Sequence, residues 1–145
     1  MPRKRRIPSG EKSIRNYLRI NNILHELEKT FPLCRHKALL RFDFYLPLYN
    51  LCLEFDGIQH FKSVRKFGGK KGLLACNERD SIKFNFCKKY EISLLRIPYH
   101  KLLKIPQLLN GFLRWLTKYP NYFILVDTRL PYFYNKKSMN LPNFF

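Results

Sequence analysis

Two apolar segments separated by a short turn constrain the fold of this chain more than any other feature. The segments are Leu39–Leu46 and Leu51–Asp56, and Pro47 and Asn50 between them are typical turn residues. Because apolar and polar side chains alternate along both segments, the pattern predicts two β-strands joined as a hairpin.

Three carboxylates lie on one predicted face of this hairpin. Alternation places Phe42, Phe44 and Leu46 on the apolar side of the first strand and Asp43 on the other side. It places Glu54 and Asp56 on a common side of the second strand. A carboxylate on a half-buried strand is costly unless a nearby cation offsets its charge. Three converging carboxylates therefore predict a bound metal ion.

The charge balance of the chain indicates a nucleic-acid partner. The 145 residues include 28 Lys and Arg against 10 Asp and Glu, a formal net charge of +18. Such an excess is typical of proteins that bind nucleic acid or an anionic membrane. We expect no membrane partner, because no uninterrupted apolar run approaches about 18 residues. The basic residues are also spread along the chain, whereas a lipid-surface helix concentrates them in one amphipathic segment.

Length and composition predict one packed domain with two extensions. A chain of 145 residues with 46% hydrophobic residues can bury a sizeable core. We expect a basic arm over 1–9, the domain over 10–118, and an aromatic and Pro-rich extension over 119–145 that packs on the domain. The start of the chain lacks an apolar signal-peptide core. We therefore expect an intracellular protein, in the cytoplasm or the nucleus, that is not secreted.

The four cysteines fit a reducing compartment. They have no Cys-x-x-Cys spacing, so buried free thiols are the favoured interpretation. A zinc site is the alternative, and it is disfavoured because zinc ligands usually come in closely spaced pairs. Its ligands would be Cys34, His36, Cys76 and Cys87.

The rest of the chain alternates helical and extended patterns, which predicts an α/β fold. Helices are predicted over 11–28, 77–90 and 106–118, with Asn77 as the cap of the second. Further strands are predicted over 31–34, 91–98 and 122–126, the last at an edge of the sheet. The segment 61–76 is rich in Gly and basic residues and is predicted to be a mobile loop that lies against a phosphate backbone.

The carboxylates suit magnesium-dependent chemistry on a phosphodiester. Asp43 and Glu54 can chelate Mg²⁺ from adjacent strands, and the backbone carbonyl between Glu54 and Asp56 adds a third oxygen. Magnesium prefers oxygen ligands and keeps several waters, and Mn²⁺ is an alternative. Phosphodiester hydrolysis needs such an ion to neutralise the developing charge, together with a group that activates water.

The chain resembles the PD-(D/E)XK nuclease superfamily, and within it the small phage and viral proteins related to very short patch repair endonucleases and some homing endonucleases. The resemblance covers about 10–99. It depends on an ordered set of blocks: Gly10-Glu11, Arg41-Phe42-Asp43-Phe44, the Glu-x-Asp-Gly-x-x-His pattern within 53–61, Arg79-Asp80-Ser81-Ile82-Lys83, and Ile92-Ser93-Leu94-Leu95-Arg96-Ile97.

This resemblance implies a restriction-endonuclease-like core, with a central mixed sheet of four to five strands flanked by helices. It also implies a metal-dependent DNA endonuclease that nicks or cleaves both strands and leaves a 5′-phosphate. The implied metal ligands are Asp43 and Glu54, with Asp56 as a further candidate.

One position departs from the superfamily pattern. A lysine is expected two residues after the motif glutamate, and Asp56 stands there instead. Either Asp56 joins the metal ligands, or the missing cation has moved. His60 can serve as a general base near neutral pH, and Lys83 can supply a cation from the second helix. We rank His60 above Lys83.

Three more residues complete the predicted catalytic set. Glu11 opens the first helix, Gln59 can orient a water or contact a phosphate, and Asp80 lies one helical turn before Lys83. Two of them have an ordinary alternative: a first-turn acid favoured by the helix dipole for Glu11, and a helix ion pair for Asp80 with Lys83. The residues predicted to contact the nucleic acid are Arg41, Lys62, Arg65, Lys66, Lys70 and Lys71.

Two other functions remain open from sequence. One is a nucleic-acid-binding protein on the same fold that has lost its activity, and the other is a nuclease that acts on RNA. The sequence is compatible with a monomer or a homodimer, since no segment identifies an interface.

Overall fold

The computed structural model describes residues 9–127 and the backbone of 133–135. These residues form one sheet flanked by three helices. The helices are α1 (Ser9–Ile20), α2 (Gly69–Tyr90) and α3 (Ile105–Lys118). The strands are β1 (Glu26–Arg35), β2 (Leu39–Leu46), β3 (Leu51–Asp56), β4 (Ser93–Pro98), β5 (Ile124–Val126) and β6 (Phe133–Asn135).

The sheet is mixed, and its strands follow the order of the chain. β1, β2 and β3 form an antiparallel meander, β3, β4 and β5 run parallel, and β6 is antiparallel to β5. The parallel pairs need crossover connections, which α2 and α3 provide. The prediction of an α/β fold with a mixed sheet between helices is confirmed. β1 to β5 match the upper number of strands expected, and the short β6 adds another.

The core divides into two clusters because consecutive residues of a strand point to opposite faces. Leu53 and Leu95 belong to the cluster that includes residues of α1 and α3. Cys52 and Leu94 belong to the other cluster, which includes Cys87 of α2. The sheet is therefore covered by α1 and α3 on one face and by α2 on the other.

The predicted hairpin is confirmed, but its alternation breaks at Asp43. Phe44 packs on the face of α1 and α3, whereas Phe42 packs on the face of α2. The β2–β3 pairing ends at Phe44 with Leu53, and beyond it the Phe55 N–H donates to the Asp43 carboxylate at 2.8 Å. The prediction that Phe42 and Phe44 share a face is wrong, because a side chain replaces the backbone partner at this point.

α1 ends at Ile20, so the predicted helix over 11–28 is too long. Asn22 adopts the left-handed conformation with φ of 52°, and the Ile23 N–H bonds the Leu18 carbonyl at 2.8 Å. This is the closing pattern of a helix that ends in a left-handed residue. The chain is then free to form β1 from Glu26, earlier than the predicted strand over 31–34.

The predicted mobile loop over 61–76 is partly helical. α2 begins at Gly69, so Asn77 lies inside the helix and does not cap it. Gly68, with φ of 89°, occupies the N-cap position in a conformation that favours glycine. The segment before it holds two short 3₁₀ helices, Ile58–His60 and Arg65–Phe67.

The predicted extension over 119–145 contributes to the sheet. β5 confirms the strand predicted there, but it lies between β4 and β6 and is not an edge strand. Residues 1–8, 128–132 and 136–145 lie outside the described residues, and they include almost all of the predicted basic arm. Across 9–127 and 133–135, none of the helices combines the length and apolar character needed to cross a bilayer.

Candidate functional site

A cavity of about 390 Å³ lies between α1, α2 and the edge of the β2–β3 hairpin. It brings together residues that are far apart in the sequence. Seven of the eight predicted catalytic residues line it: Glu11, Asp43, Glu54, Gln59, His60, Asp80 and Lys83. The eighth, Asp56, does not.

The break in β2–β3 pairing positions the first carboxylate. Asp43 accepts the Phe55 N–H, so its side chain is fixed beside the backbone of β3. Glu54 lies on β3 with only 4% of its surface exposed, opposite Arg96 in the parallel register of β4. The two carboxylates thus reach the same cavity from adjacent strands, as the sequence predicted.

Lys83 provides a cation at these carboxylates. Its Nζ lies 2.6 Å from Glu54 Oε1 and 5.3 Å from the centre of the Phe42 ring. The side chain crosses from α2 to β3, so this is not the helix ion pair with Asp80 that we considered as its ordinary alternative. The partner of Lys83 is Glu54.

Glu11 reaches the cavity because α1 packs closely on β3. The preceding residue, Gly10, is buried, and a Cβ there would overlap the Phe55 ring. Glycine is therefore required for the observed approach of the helix to the strand. This contact sets the position of Glu11 more directly than the helix dipole does.

Burial shifts both central carboxylates toward the protonated form. Desolvation raises the pKa of Asp43 to about 6, although the Phe55 N–H opposes the shift. Desolvation also raises the pKa of Glu54 to about 7, against the charge of Lys83. Burial therefore disfavours the charged form of both carboxylates, and a divalent cation would stabilise that form.

Asp56 belongs to a buried ion network and not to the cavity. Its carboxylate accepts two hydrogen bonds from Arg96, from Nε at 2.9 Å and from a terminal nitrogen at 2.7 Å. The same terminal nitrogen lies 2.7 Å from Asp80 Oδ1, and both Asp56 and Arg96 are fully buried. The structure therefore corrects the prediction of Asp56 as a metal ligand, because both of its oxygens are bound by Arg96.

His60 joins this network through Nδ1, which donates to Asp80 Oδ2 at 2.7 Å. Burial lowers the pKa of His60, but the hydrogen bond to Asp80, the contact with Cys76 and the charges of Asp56 and Asp80 together raise it to about 10. Burial also raises the pKa of Asp80, and the hydrogen bond from His60 and the charge of Arg96 outweigh it and hold that pKa below its usual range. His60 is accordingly a cation at neutral pH, and a protonated ring cannot accept a proton from water.

Charged side chains of both signs surround the cavity. With His60 protonated, the buried network holds two cations and two anions, and the ion pair of Glu54 is also neutral. Glu11, Asp43 and Arg79 are further charged residues of the lining. The carboxylate oxygens among them are donors that a divalent cation can use.

Two arginines of the site were not among the predicted catalytic residues. Arg79 lines the cavity and is exposed, and its position one turn before Lys83 on the same helix could have identified it. Arg96 lies in one of the blocks that carry the resemblance, but it was not among the predicted site residues. A charged residue inside the apolar strand Ser93–Pro98 was the available signal for a buried partner.

Most of the predicted contacts to nucleic acid lie in a segment that contributes to the cavity lining. Lys62, Arg65, Lys66, Lys70 and Lys71 are all exposed, in the segment that contributes Phe67 and Gly72 to the lining. Arg41 is exposed as well, and it lies 3.7 Å from Glu28. Arg41 also lines a neighbouring cavity of about 460 Å³, which shares Asp43, Arg79 and Lys83 with the first.

The cysteines do not form the zinc site considered from sequence. All four are free and buried, and Cys34 and Cys87 lie in the apolar cluster under α2 while Cys76 lies 3.1 Å from His60. His36 lies 3.7 Å from Glu78. His60, Cys76 and Asp80 do place three donor atoms within 4.8 Å of one another. That group already has an internal counter-charge in Arg96, which lowers its need for a metal.

Comparisons with known proteins leave the family open. No family model matches the chain, and no solved structure matches it. A protein of frog virus 3 (isolate Goorha), Uncharacterized protein 094L, is 33% identical over 81 residues. The match covers 49% of this chain and 52% of that relative, so the chain spans about half the length of the curated relative it matches.

Proposed function

We propose that this protein is a metal-dependent DNA endonuclease that acts inside the cell. The observation that carries the proposal is a single cavity in a strongly basic chain, lined by Glu11, Asp43 and Glu54 together with Lys83. Carboxylates at the centre of a basic surface weaken phosphate binding unless a cation neutralises them. Their retention beside a lysine supports hydrolysis over binding alone.

The donor atoms of the cavity fit a hard divalent cation. Asp43 and Glu54 would hold Mg²⁺ or Mn²⁺, with Glu11 and the backbone at Phe55 as further oxygen donors on the lining. When bound, the ion supplies neutralisation of the charge that develops on the phosphate. We keep Asp56 out of this set, since Arg96 holds it.

Lys83 takes the place of the lysine that the superfamily pattern puts at position 56. Its ammonium group lies at Glu54 and can stabilise the attacking hydroxide. His60 is held as a cation by Asp80, so its role is to donate a hydrogen bond to the phosphate rather than to act as the general base. Lys83 therefore ranks above His60 for the activation of water, the reverse of the order expected from sequence.

The test compares cleavage by the wild type and three variants. Supercoiled plasmid, single-stranded DNA and RNA are incubated with Mg²⁺, Mn²⁺ or EDTA. We expect DNA cleavage only with a metal, a loss of at least about a hundredfold for Asp43→Ala and for Lys83→Ala, and full activity for Lys118→Ala on α3 as a charge-matched control. Intact substrates under all conditions would refute the nuclease, as would activity that survives Asp43→Ala. Cleavage of RNA but not of DNA would show that the protein is a nuclease that acts on RNA.

One observation favours a binding protein as the second candidate. Lys83 already neutralises Glu54 and Arg96 already neutralises Asp56, so part of the site is satisfied without a metal. A binding protein would bind DNA equally well with EDTA and with Mg²⁺, and Asp43→Ala would strengthen that binding by removing a negative charge. The same set of variants therefore separates the two functions. The molecular mass in solution, measured by analytical ultracentrifugation with and without DNA, would distinguish a monomer from a homodimer.

A further inference from the structure

A second cavity, of about 690 Å³, adjoins the first. His60 lines both cavities, and α2 contributes residues to each of them. The first cavity receives Cys76, Asp80 and Lys83 from this helix, and the second receives Asn77 and others from a different helical face. A ligand bound at the carboxylates is therefore within reach of a second compartment.

The lining of the second cavity differs from the rest of this basic surface. Among its described residues there is no lysine or arginine, although the chain has 28 of them. Asn77, Ser81 and Asn85 follow one another at intervals of four on α2, so they share one side of the helix. Phe61 and Phe84 supply rings. Apart from His60, which the two cavities share, this set suits a neutral, flat, hydrogen-bonding group.

Two features give the cavity a fixed shape and polarity. The Phe61 ring packs against Tyr99, with ring centres 5.7 Å apart, which holds one wall in place. Asp127, which follows β5 and is only 4% exposed, adds a carboxylate to the lining. A carboxylate can accept a hydrogen bond from the exocyclic amine of a base, and amide side chains can bond the edge of a base through both donor and acceptor atoms.

We propose that the second cavity binds an unpaired nucleobase of DNA that lies next to the phosphate held in the first cavity. Identification of the ligand as DNA rests on the proposed function. A base leaves the stack to enter such a pocket, where it is held by an aromatic ring and by hydrogen bonds to its edge.

Equilibrium binding in EDTA tests this without any dependence on catalysis. Three duplexes of the same sequence are compared by fluorescence anisotropy: fully paired, with one unpaired thymine, and with one unpaired abasic nucleotide. We expect the wild type to bind the unpaired thymine about tenfold more tightly than either of the other two. The abasic duplex separates recognition of the base from recognition of a bent backbone.

Ser81→Phe fills the cavity, and Gln107→Phe adds the same ring to an exposed position of α3. We expect Ser81→Phe to lose the preference for thymine while it binds the paired duplex within about twofold of the wild type. Gln107→Phe should keep both properties. Asn85→Ala is a milder second variant, because Asn85 is exposed and alanine is the smaller side chain. It should reduce the preference for thymine, and it replaces Ser81→Phe in the test if that variant does not fold.

Equal wild-type affinity for the thymine and abasic duplexes would overturn the proposal. A preference that survives in folded Ser81→Phe, or in Asn85→Ala if Ser81→Phe does not fold, would overturn it too. Failure of the nuclease proposal is a separate result, because it is measured as cleavage with metal. A protein that never cleaves DNA but prefers the unpaired thymine would support the base-binding cavity and refute the nuclease. A protein that cleaves DNA without that preference would support the nuclease and refute the base-binding cavity.

Discussion

Arg96 is the residue on which the region beside the cavity depends most. Its side chain is fully buried and holds Asp56 and Asp80 at 2.7 Å. Removal of one partner from a buried network leaves the others charged and unpaired, which costs about 3–5 kcal/mol. We therefore expect Arg96→Met to lower the free energy of unfolding by about that amount, measured by urea denaturation.

The matched control is Arg41→Met. Arg41 pairs with Glu28 at 3.7 Å, but both side chains are about 60% exposed. Exposed pairs contribute about 0–1 kcal/mol, so this variant should unfold at nearly the wild-type urea concentration. Equal losses in the two variants would show that the buried network has no special weight.

The acidity of Asp43 and Glu54 makes metal binding depend on pH. Their pKa values of about 6 and about 7 are raised by burial, so protons compete with a cation at and below neutrality. We expect the affinity for Mn²⁺ to rise as pH increases from 6 to 8, with proton release on binding. Isothermal titration calorimetry in buffers of different ionisation enthalpy measures both quantities.

Asp43→Asn removes one of the two titrating carboxylates and serves as the control for that measurement. The variant should bind Mn²⁺ weakly at every pH and release fewer protons. An affinity that is constant between pH 6 and 8 in the wild type would place the metal away from these two residues.

At the scale of elements, the contact of α1 with β3 decides where Glu11 lies. Alanine in place of a helical glycine usually stabilises a protein by about 0.5–1 kcal/mol. At Gly10 the added Cβ would overlap the Phe55 ring, so either the ring or α1 must shift. We expect Gly10→Ala to destabilise the protein by about 1–3 kcal/mol in urea denaturation, and to reduce cleavage by displacing Glu11.

The same substitution at Gly111 should change the stability in the opposite direction. Gly111 is exposed within α3, where alanine meets no neighbour. We expect Gly111→Ala to raise stability slightly, and we expect Phe55→Leu to restore part of the loss in Gly10→Ala. If both glycine variants were stabilised alike, the close approach of α1 to β3 would be refuted.

α2 shows how tertiary structure overrides a local pattern. Gly69, Gly72 and the basic residues between them favour a loop when read alone. The structure makes them the first turn of a 22-residue helix, because Gly68 caps it and its later turns pack on the sheet. This longer helix carries Cys76, Arg79 and Lys83 to one cavity.

At the scale of the whole molecule, we expect part of the net charge of +18 to contribute more to DNA binding than the rest. Lys62, Arg65 and Lys66 are exposed in the segment before α2, and Phe67 of the same segment lines the cavity. If they contact phosphates, replacement of all three by Ala should lower the slope of log Kd against log salt concentration by about 2–3. Titrations of a DNA duplex between 50 and 200 mM salt, roughly the range over which counterion release is measured, give this slope.

Three basic residues of the other face supply the control. Lys104, Arg114 and Lys118 are exposed on and before α3, and Arg114 and Lys118 line a cavity between α1 and α3. Their replacement by Ala changes the net charge equally. If the two triple variants lost the same slope, DNA binding would depend on total charge and not on the surface around the carboxylates.

The sequence by itself determined the parts of this protein that depend on local pattern. Alternation predicted both strands of the hairpin with their observed bounds, and an ordered set of short blocks predicted seven residues of one cavity. It misjudged the ends of α1 and α2, because helix ends depend on capping conformations such as that of Asn22, which a periodic pattern does not contain.

Only the tertiary structure decided what each charged residue pairs with. Asp56 and Glu54 are indistinguishable by alternation, yet Arg96 holds one and Lys83 holds the other. The pKa of His60 depends on pairing in the same way, since Asp80 comes from a different element and its hydrogen bond raises the pKa of the ring. Charge pairing is a property of distance in space and of burial, and neither is fixed by the order of residues along the chain.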